Sequence, residues 1–268
     1  MESFYVGSGW YSPEFCSPGR RVGGDDFIRS PEFHRLWLDS VLESLQPDKV
    51  VIVDSASPRF SPLVGHADVS WIRLPTNPGH SADFIGFLSG WSWSVVLTLL
   101  DFLNSEEDYY CYVEQDCLVR PDFRPHCRAV LTAECGRGIL LGSGEGTPQP
   151  IQQSFFVVHR ATAHRFLARF LSLSDSDRRV VPEVKFLLAA SRVPLIFANS
   201  GVGALQRFAV RAATRFPGHR LLPMQGGRAR PLTTETKYLQ HATRAELAEF
   251  LDRSWEAVLQ DVGLVDED

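Results

Sequence analysis

Hydrophobic residues follow two different spacings along the chain. Short runs rich in β-branched and aromatic residues predict strands, whereas apolar residues three or four positions apart predict helices. The predicted strands lie at 3–11, 49–54, 71–74, 108–119, 138–146, 152–160 and 193–201. The predicted helices lie at about 31–45, 82–103, 161–173 and 182–192, with a last one that starts after 243. This alternation is typical of an α/β fold with a mixed, mostly parallel central sheet flanked by helices.

Two helix starts carry local signals. Ser30 precedes Pro31, an order typical of an N-cap followed by the first helical residue. Thr243 and Glu246 have the spacing of a capping box at the start of the last helix. The first helix also carries an apolar stripe, which predicts one buried side. The stripe consists of Phe33, Trp37, Val41 and Leu45.

Polar residues follow three of the predicted strands. Asp54 comes after "KVVIV", Asn77 after "WIRLPT", and Glu114 and Asp116 after "YYCYV". Ligands of open α/β sheets bind at the carboxyl ends of strands, so these side chains indicate a binding site. In an extended strand Glu114 and Asp116 face the same side, where two carboxylates repel unless a cation lies beside them. Their hard oxygens favour Mg²⁺ or Mn²⁺.

Each of these residues also has a purely structural interpretation. Asp54 opens "DSASP", which favours an Asx-turn or a helix cap, and Asn77 before Pro-Gly is an ordinary turn signal. One acid of the "EQD" triplet could instead cap a helix or pair with an arginine such as Arg120 or Arg124.

The order of "VVIVDSAS", "LPTNPG", an apolar helix and "YYCYVEQDCLV" resembles the nucleotide-binding half of GT-A-type glycosyltransferases. The resemblance covers about residues 45–120 well and the remainder only by its order of elements. It implies a GT-A-like fold, a nucleotide-diphospho sugar donor, and a divalent Mn²⁺ or Mg²⁺ held by an acid-x-acid (DxD) motif.

The resemblance also implies roles for single residues. Asp54 and Ser55 would contact the base or ribose of the nucleotide, and Asn77 would lie in the next donor loop. Asp116 matches the last acid of the motif and would bind the metal directly. Glu114 stands where Asp is commoner and would assist through water or the ribose.

The second half of the chain supplies a candidate general base. Glu183 follows Pro182 at a helix start, and inverting relatives of the resembled family commonly carry a base at such a position. The alternative is an acid that complements the helix dipole. Asp175 and Asp177 are competitors that fit a solvated loop better.

A basic, glycine-rich stretch, "QGGRARPL", suggests a phosphate contact. Arg228 and Arg230 could grip the donor diphosphate, or they could belong to an ordinary surface loop. His241 follows, and similar glycosyltransferases often use a late histidine as a third metal ligand, although a surface histidine is the simpler interpretation.

The acceptor side is predicted at the entry of the strand "QQSFFVVHR". Gln152, Gln153 and Ser154 are neutral hydrogen-bonding residues of the kind that bind sugar hydroxyls. A simple strand entry is the alternative for each of them.

Composition narrows the class of protein. The chain has 268 residues and a net charge of −5, which argues against general nucleic-acid binding. Five cysteines without a CxxC pair favour a reduced, cytoplasmic protein. We expect no stable membrane insertion, because the apolar stretches are too short and no basic amphipathic helix is apparent, although this leaves a transient membrane contact open.

We therefore expect one catalytic domain over 1–268, with a nucleotide- and metal-binding half (1–120) and an acceptor half with a C-terminal loop and helix (121–268). The predicted activity is metal-dependent transfer of a sugar to an acceptor hydroxyl of a glycan, a lipid-linked sugar, a protein or a small metabolite. The alternatives are a sugar-nucleotide nucleotidyltransferase and a non-catalytic nucleotide-binding protein on the same fold.

Overall fold

A seven-stranded sheet runs through the protein in a computed structural model that describes residues 2–13, 24–79, 86–132, 138–144, 149–215, 220–222, 225–226 and 231–264. The strands are β1 (Phe4–Trp10), β2 (Lys49–Asp54), β3 (Val69–Arg73), β4 (Tyr109–Val113), β5 (Cys117–Val119), β6 (Ile139–Ser143), β7 (Ile151–His159), β8 (Arg220–Leu222), β9 (Gln225–Gly226) and β10 (Tyr238–Gln240). The large sheet has the order β3-β2-β1-β4-β7-β6-β8, and β5, β10 and β9 form a small second sheet. Strands β1 to β4 are parallel, β7 is antiparallel to its neighbours β4 and β6, and β8 is parallel to β6. The predicted mixed, mostly parallel sheet is confirmed.

Helices cover both faces of this sheet. They are α1 (Phe33–Leu45), α2 (Gly90–Leu103), α3 (Phe123–Thr132), α4 (Arg160–Leu171), α5 (Pro182–Ala190), α6 (Leu195–Ala198), α7 (Gly203–Arg215), α8 (Arg244–Leu251) and α9 (Trp255–Asp261). One hydrophobic core lies between the sheet and α1, α3, α8 and α9, and a second lies beneath α2, α4 and α5, with α7 packed against α5. Across the described ranges, no helix is both long and apolar enough to cross a membrane.

The two predicted helix starts differ in outcome. α1 begins at Phe33, two residues after the predicted Pro31, and its N-cap is Glu32 rather than Ser30, whereas the predicted start of the last helix is confirmed. Ser30 Oγ accepts a hydrogen bond from the backbone N–H of Phe33, at 3.4 Å. Thr243 and Glu246 form a complete capping box. All four residues of the apolar stripe on α1 are buried. These signals are local, so the sequence alone is sufficient to find them.

Two predicted elements are shorter than expected. The strand predicted at 108–119 breaks into β4 and β5 at a turn, in which Cys117 N–H donates to the Glu114 carbonyl at 3.0 Å. The helix predicted from residue 82 begins at Gly90, where the N-cap Ser89 accepts from the Ser92 N–H. Residues 80–85 lie outside the described part of the chain.

Two further predictions of secondary structure were wrong. The apolar run at 193–201 contains the short helix α6 rather than a strand, because so short a run cannot be assigned by periodicity alone. The last predicted helix is divided into α8 and α9 at Asp252, whose φ of 55° is left-handed and ends α8.

A buried histidine connects α1 to the end of β1. The ring of His34 lies 3.6 Å from the ring of Trp10, centroid to centroid, and neither ring nitrogen has a hydrogen-bond partner. Burial lowers the pKa of His34 to about 3, and the positive charge of Arg59 acts in the same direction. His34 is therefore neutral in the folded protein at any physiological pH.

The buried His34 should make the protein acid-sensitive. In the unfolded chain His34 takes up a proton near pH 6.5, whereas the folded protein keeps it neutral down to about pH 3. Because the unfolded state binds the additional proton in this window, the free energy of unfolding falls by about 1.4 kcal/mol for each pH unit below 6.5. Over two pH units the wild type should lose about 3 kcal/mol more than His34→Leu, measured by urea unfolding. Equal pH slopes for the two proteins would contradict this account.

A fully buried ion pair joins α5 to the start of α2. Lys185 Nζ donates to Asp177 Oδ1 at 2.7 Å, and Asp177 Oδ2 accepts from both the N–H and the hydroxyl of Ser89, each at 2.8 Å. The Lys185 ammonium also lies 4.6 Å from the ring centre of Phe87. The prediction of a solvated Asp177 was wrong, because three donors compensate the burial of its charge. The pair fixes the first turn of α5 against the N-cap of α2.

Removing one partner of this pair should be costly. We expect Lys185→Met to lower the free energy of unfolding by about 3–5 kcal/mol, because it leaves the Asp177 carboxylate buried and uncompensated. Adding Asp177→Asn to that variant should restore part of the loss. The matched control is Arg179→Met, which removes an exposed guanidinium from its pair with Asp175 and should change stability by at most about 1 kcal/mol, because Asp175 still accepts a hydrogen bond from Gln206 Nε2. Urea unfolding followed by tryptophan fluorescence measures all three, and similar losses for Lys185→Met and Arg179→Met would refute the assignment.

Candidate active site

The carboxyl ends of β1 to β4 meet at one edge of the sheet. Trp10 pairs with Asp54 at the end of β1 and β2, and Asp54 pairs with Arg73 at the end of β3. Val113 ends β4 on the other side of β1, directly before the acidic triplet. Asp54 and Glu114 are thus two strands apart, about 10 Å by ordinary strand spacing. The expectation that these acids share one edge is confirmed.

The acidic triplet forms a rigid turn rather than an extended strand. The side chain of Gln115 pairs with the backbone of Tyr11: its Oε1 accepts from the Tyr11 N–H at 2.6 Å and its Nε2 donates to the Tyr11 carbonyl at 3.3 Å. Trp37 Nε1 donates to the Glu114 carbonyl at 3.0 Å. The amide between the two acids therefore anchors the turn to the end of β1.

His241 lies beside Asp116 because of the register of the small sheet. In the antiparallel pair of β5 and β10, Gln240 is opposite Cys117, so the next residue on each side is His241 opposite Asp116. His241 Nδ1 lies 3.3 Å from Asp116 Oδ2. The backbone of His241 is left-handed, with φ of 52°, a conformation in which histidine is found more often than most residues. The late histidine thus lies beside the last acid of the motif, and its role as a metal ligand stays a prediction.

Arg29 completes this cluster, and the sequence analysis missed it. Its Nη2 lies 3.8 Å from Asp116 Oδ2 and 3.4 Å from His241 Nδ1. A short 3₁₀ helix, Asp26–Arg29, delivers the guanidinium, and Asp25 N–H donates to the Ala242 carbonyl at 2.8 Å. No motif marks Arg29, because only the folding of this segment over the end of β10 brings it to the site.

The arginines suggested by the sequence have other contacts. Arg124 donates to the Glu2 carbonyl at 2.7 Å and to the Leu45 carbonyl at 3.2 Å. The Arg120 guanidinium lies 4.6 Å from the ring centre of Phe250. The ion-pair partner of Asp116 is therefore Arg29 rather than either of them.

Asp116 retains a carboxylate oxygen that a cation could use. Its side chain is 7% exposed, and its Oδ1 is buried without a hydrogen-bond partner. Such an atom is unfavourable unless a cation or a donor occupies its surroundings. A carboxylate with an adjacent imidazole fits Mn²⁺, and the carboxylate alone fits Mg²⁺. The two side chains fit a divalent cation that takes its other ligands from water and phosphate.

Protein ligands alone do not form a closed metal cage. Within the described residues no group of three or more His, Cys, Asp or Glu side chains is arranged to hold a metal. The Glu114 carboxylate lies 3.5 Å from Gln240 Nε2, and its role as a ligand stays a prediction. Burial, together with the charges of Asp116 and Glu114, raises the pKa of the Cys117 thiol well above its ordinary value, which disfavours a thiolate at this position.

At the end of β2, Asp54 has structural contacts of its own. Its two carboxylate oxygens accept from the Ser57 N–H at 3.3 and 3.2 Å, and Oδ2 lies 3.5 Å from Arg73 Nε. These contacts agree with the structural alternative for Asp54, in which its carboxylate stabilises the turn after β2. Ser55 is buried against the first residue of α2, since its Oγ lies 3.2 Å from where a Cβ on Gly90 would stand. The contact of Asp54 and Ser55 with a nucleotide stays a prediction.

Asn77 also makes the turn that its sequence context indicates. It is exposed, and its Oδ1 accepts from the Gly79 N–H at 2.8 Å. The Gly79 carbonyl in turn accepts from the Gly90 N–H at 2.9 Å, which ties this loop to the start of α2. A role of Asn77 in donor binding stays a prediction.

The predicted acceptor residues lie on β7, next to the acidic turn. The Ser154 carbonyl accepts from the Glu114 N–H at 2.8 Å. Ser154 Oγ and Gln153 Oε1 are buried without hydrogen-bond partners, and Gln152 is buried opposite Gly142 of β6. Polar atoms that could bind a hydroxyl-rich ligand therefore lie beside Glu114.

Glu183 is half-buried in the first turn of α5. One turn further, Phe186 contacts Trp91 in the first turn of α2, with 4.8 Å between the ring centres. Trp91 also contacts Tyr112 near the end of β4, at 5.6 Å. The start of α5 is thereby held close to the edge of the sheet that carries the acids. Arg228 and Arg230 lie outside the described residues.

No family model matches the sequence, and a search of curated proteins gave no match. Solved structures of low identity resemble the fold. Staphylococcus aureus TarS (residues 1–349), in complex with UDP-GlcNAc, is 17% identical and has a TM-score of 0.35 over 55% of this chain. The mannosyltransferase PcManGT of Pyrobaculum calidifontis, in complex with GDP-Man and Mn²⁺, is 13% identical and covers 79% of this chain and 68% of its own, with a TM-score of 0.41.

A putative glucose-1-phosphate thymidylyltransferase of Bacillus anthracis, in complex with sucrose, is 9% identical and has a TM-score of 0.43, covering 100% of this chain and 97% of its own. The present chain spans only 37% of the TarS chain bound to UDP-GlcNAc. Its structural neighbours include GT-A-type glycosyltransferases, the family that the sequence resembles.

Proposed function

We propose that this chain transfers a sugar from a nucleotide-diphospho sugar to an acceptor hydroxyl, with Mn²⁺ or Mg²⁺ bound at Asp116. The observation that carries the proposal is the cluster of Asp116, His241 and Arg29 at the carboxyl edge of a mostly parallel sheet. Ligands of such sheets bind at this edge, and the cluster combines a carboxylate for a metal with a permanent positive charge for a phosphate.

The leaving group of this reaction is a nucleoside diphosphate, whose developing charge must be neutralised. When bound, a divalent metal supplies Lewis-acid stabilisation of that charge. Asp116 and His241 hold the metal in this proposal. The Arg29 guanidinium adds a permanent positive charge beside them. Asp54 and Ser55, two strands away, bind the nucleoside end of the donor.

The acceptor hydroxyl requires a base. In this proposal Glu183 takes its proton while the oxygen attacks the anomeric carbon with inversion. Gln152, Gln153 and Ser154 orient the acceptor, which is supported by the unpartnered Gln153 Oε1 and Ser154 Oγ next to Glu114. Arg228 and Arg230 remain candidates for closing over the diphosphate.

A nucleotidyltransferase is the weaker candidate. That activity needs a flexible, glycine-rich phosphate loop after the first strand. Gly7 and Gly9, the glycines of "VGSGW", lie within β1, where a Cβ would stand 2.7 Å from Thr98 Oγ1 and 2.1 Å from Ser94 Oγ. These two glycines therefore serve the close packing of α2 on β1.

The donor site can be tested by thermal unfolding with UDP, GDP, CDP, dTDP or ADP, each with Mn²⁺ or with EDTA. A diphosphate at one hundred times its dissociation constant adds about 2.7 kcal/mol to the free energy of unfolding, which raises Tm by about 5 °C or more in a protein of this size. We expect one diphosphate to give this shift with Mn²⁺, and EDTA or Asp116→Asn to abolish it. The exposed Asp68→Asn is the matched control and should respond like the wild type. A metal-independent shift of full size in Asp116→Asn would remove the metal from the proposal.

The role of Glu183 can be separated from its helix-dipole effect. We expect Glu183→Gln to lower kcat by about a hundredfold or more for transfer or for slow donor hydrolysis, with the diphosphate-induced shift in Tm unchanged. Glu256→Gln removes an acid from the first turn of α9 and should leave kcat unchanged. Near-wild-type turnover in Glu183→Gln would contradict the role of Glu183 as the general base. If the wild type bound a diphosphate but showed neither transfer nor donor hydrolysis, the chain would be a non-catalytic nucleotide-binding protein.

A further inference from the structure

The basic residues of the chain are distributed unevenly. Residues 184–234 contain eight Lys and Arg and no Asp or Glu, whereas the remainder of the chain contains 19 basic and 32 acidic residues. Lys185 is buried in its ion pair with Asp177, and the other seven basic residues of this segment are arginines. A charge asymmetry of this size within an acidic protein favours a polyanion as a binding partner. The helices α6 and α7 lie within this segment.

Three arginines form a stripe on the outer side of α7. Arg207, Arg211 and Arg215 are spaced four residues apart, so they follow one another along the helix, and all three are exposed. Ala209 and Ala213 are buried on the opposite side, against the core. In the described part of the chain no carboxylate forms an ion pair with these three arginines, so their charge faces solvent.

Large apolar side chains are exposed beside this stripe. Ile196 of α6 is 73% exposed, and Phe208 of α7 is 54% exposed. Val202 and Leu205 are also exposed between them. The ring of Phe208 stands 5.8 Å from that of Phe197, which joins α6 and α7 into one apolar ridge. Scattered apolar exposure is ordinary, but a ridge along two consecutive helices marks an interaction site.

We propose that the outer surface of α6 and α7, defined by Ile196, Val202, Leu205, Phe208 and the three arginines of the stripe, binds an anionic lipid bilayer. Guanidinium groups bind headgroup phosphates, and the apolar ridge enters the boundary between headgroups and acyl chains. Nucleic acid offers the same phosphates but no apolar layer for the ridge. The helix lies in the plane of the interface and does not cross the membrane, consistent with the length of α7.

The surface adjoins the half of the molecule that carries Glu183. α7 packs against α5, and Val184 of α5 and Val210 of α7 line one small cavity between them. Docking would thus hold the start of α5 near the bilayer. The proposal stands on charge and exposure alone and does not depend on the proposed transferase activity.

Vesicle co-sedimentation of the whole chain tests this directly. We expect the wild type to bind vesicles of phosphatidylcholine that contain phosphatidylglycerol, to bind pure phosphatidylcholine far more weakly, and to be released by salt. Each arginine near an anionic surface contributes about fivefold to binding, so the triple variant Arg207→Gln, Arg211→Gln, Arg215→Gln should bind about a hundredfold more weakly. Ile196→Ser removes an inserted side chain and should weaken binding about tenfold.

The matched controls are Arg165→Gln and Leu171→Ser, which remove an exposed charge and an exposed apolar group from α4 and should change nothing. The wild-type comparison of the two lipid mixtures at low and high salt remains valid if a variant fails to fold. Absence of binding to anionic vesicles, or equal binding to both mixtures, would overturn the proposal. The proposal would also be overturned if the protein bound heparin or RNA but not vesicles, and if Ile196→Ser left that binding unchanged. This result would assign the surface to another polyanion.

Discussion

The candidate site depends on a carboxylate that the fold buries without fully compensating it. Asp116 lies in a turn whose middle residue, Gln115, pairs with the backbone at the end of β1, and its carboxylate is 7% exposed. Arg29 and His241 approach one of its oxygens and leave the other without a partner. An uncompensated charge of this kind is unfavourable unless a ligand supplies a partner for it.

The sequence predicted the sheet because its signals are local and repetitive. The strands β2 and β4 contain the unbroken apolar runs "VVIV" and "YYCYV", and parallel strands buried on both faces require such runs. The positions of Asp54 and Glu114 at one edge follow directly from the parallel order. The predicted proximity of His241 to Asp116 came from family resemblance, and the structure supplies its physical basis in the register of β5 and β10.

Other features could not be predicted from the sequence, for physical reasons. Arg29 reaches the site through a 3₁₀ turn that no spacing announces, and the burial of Asp177 depends on Lys185 and Ser89, which are distant or unremarkable in sequence. α7 was not predicted at all, although its arginines recur every four residues. That periodicity was visible in the sequence, but charged residues at helical spacing usually indicate only a solvated face. The exposed apolar ridge beside them can be recognised only from the exposed fraction of each side chain in the structure.

The pairing of β10 with β5 also determines when the candidate site is completed during synthesis of the chain. Gln240 and Glu114, which this pairing brings together, are 126 residues apart in sequence. Closing a loop over such a distance has an entropic cost, and contacts of this kind slow folding. During synthesis from the N-terminus, the acidic turn is therefore made long before its histidine. A chain released before residue 241 would possess the sheet edge and the acids but would lack the imidazole at Asp116. The imidazole that lies beside Asp116 is thus synthesised more than a hundred residues after the acidic turn.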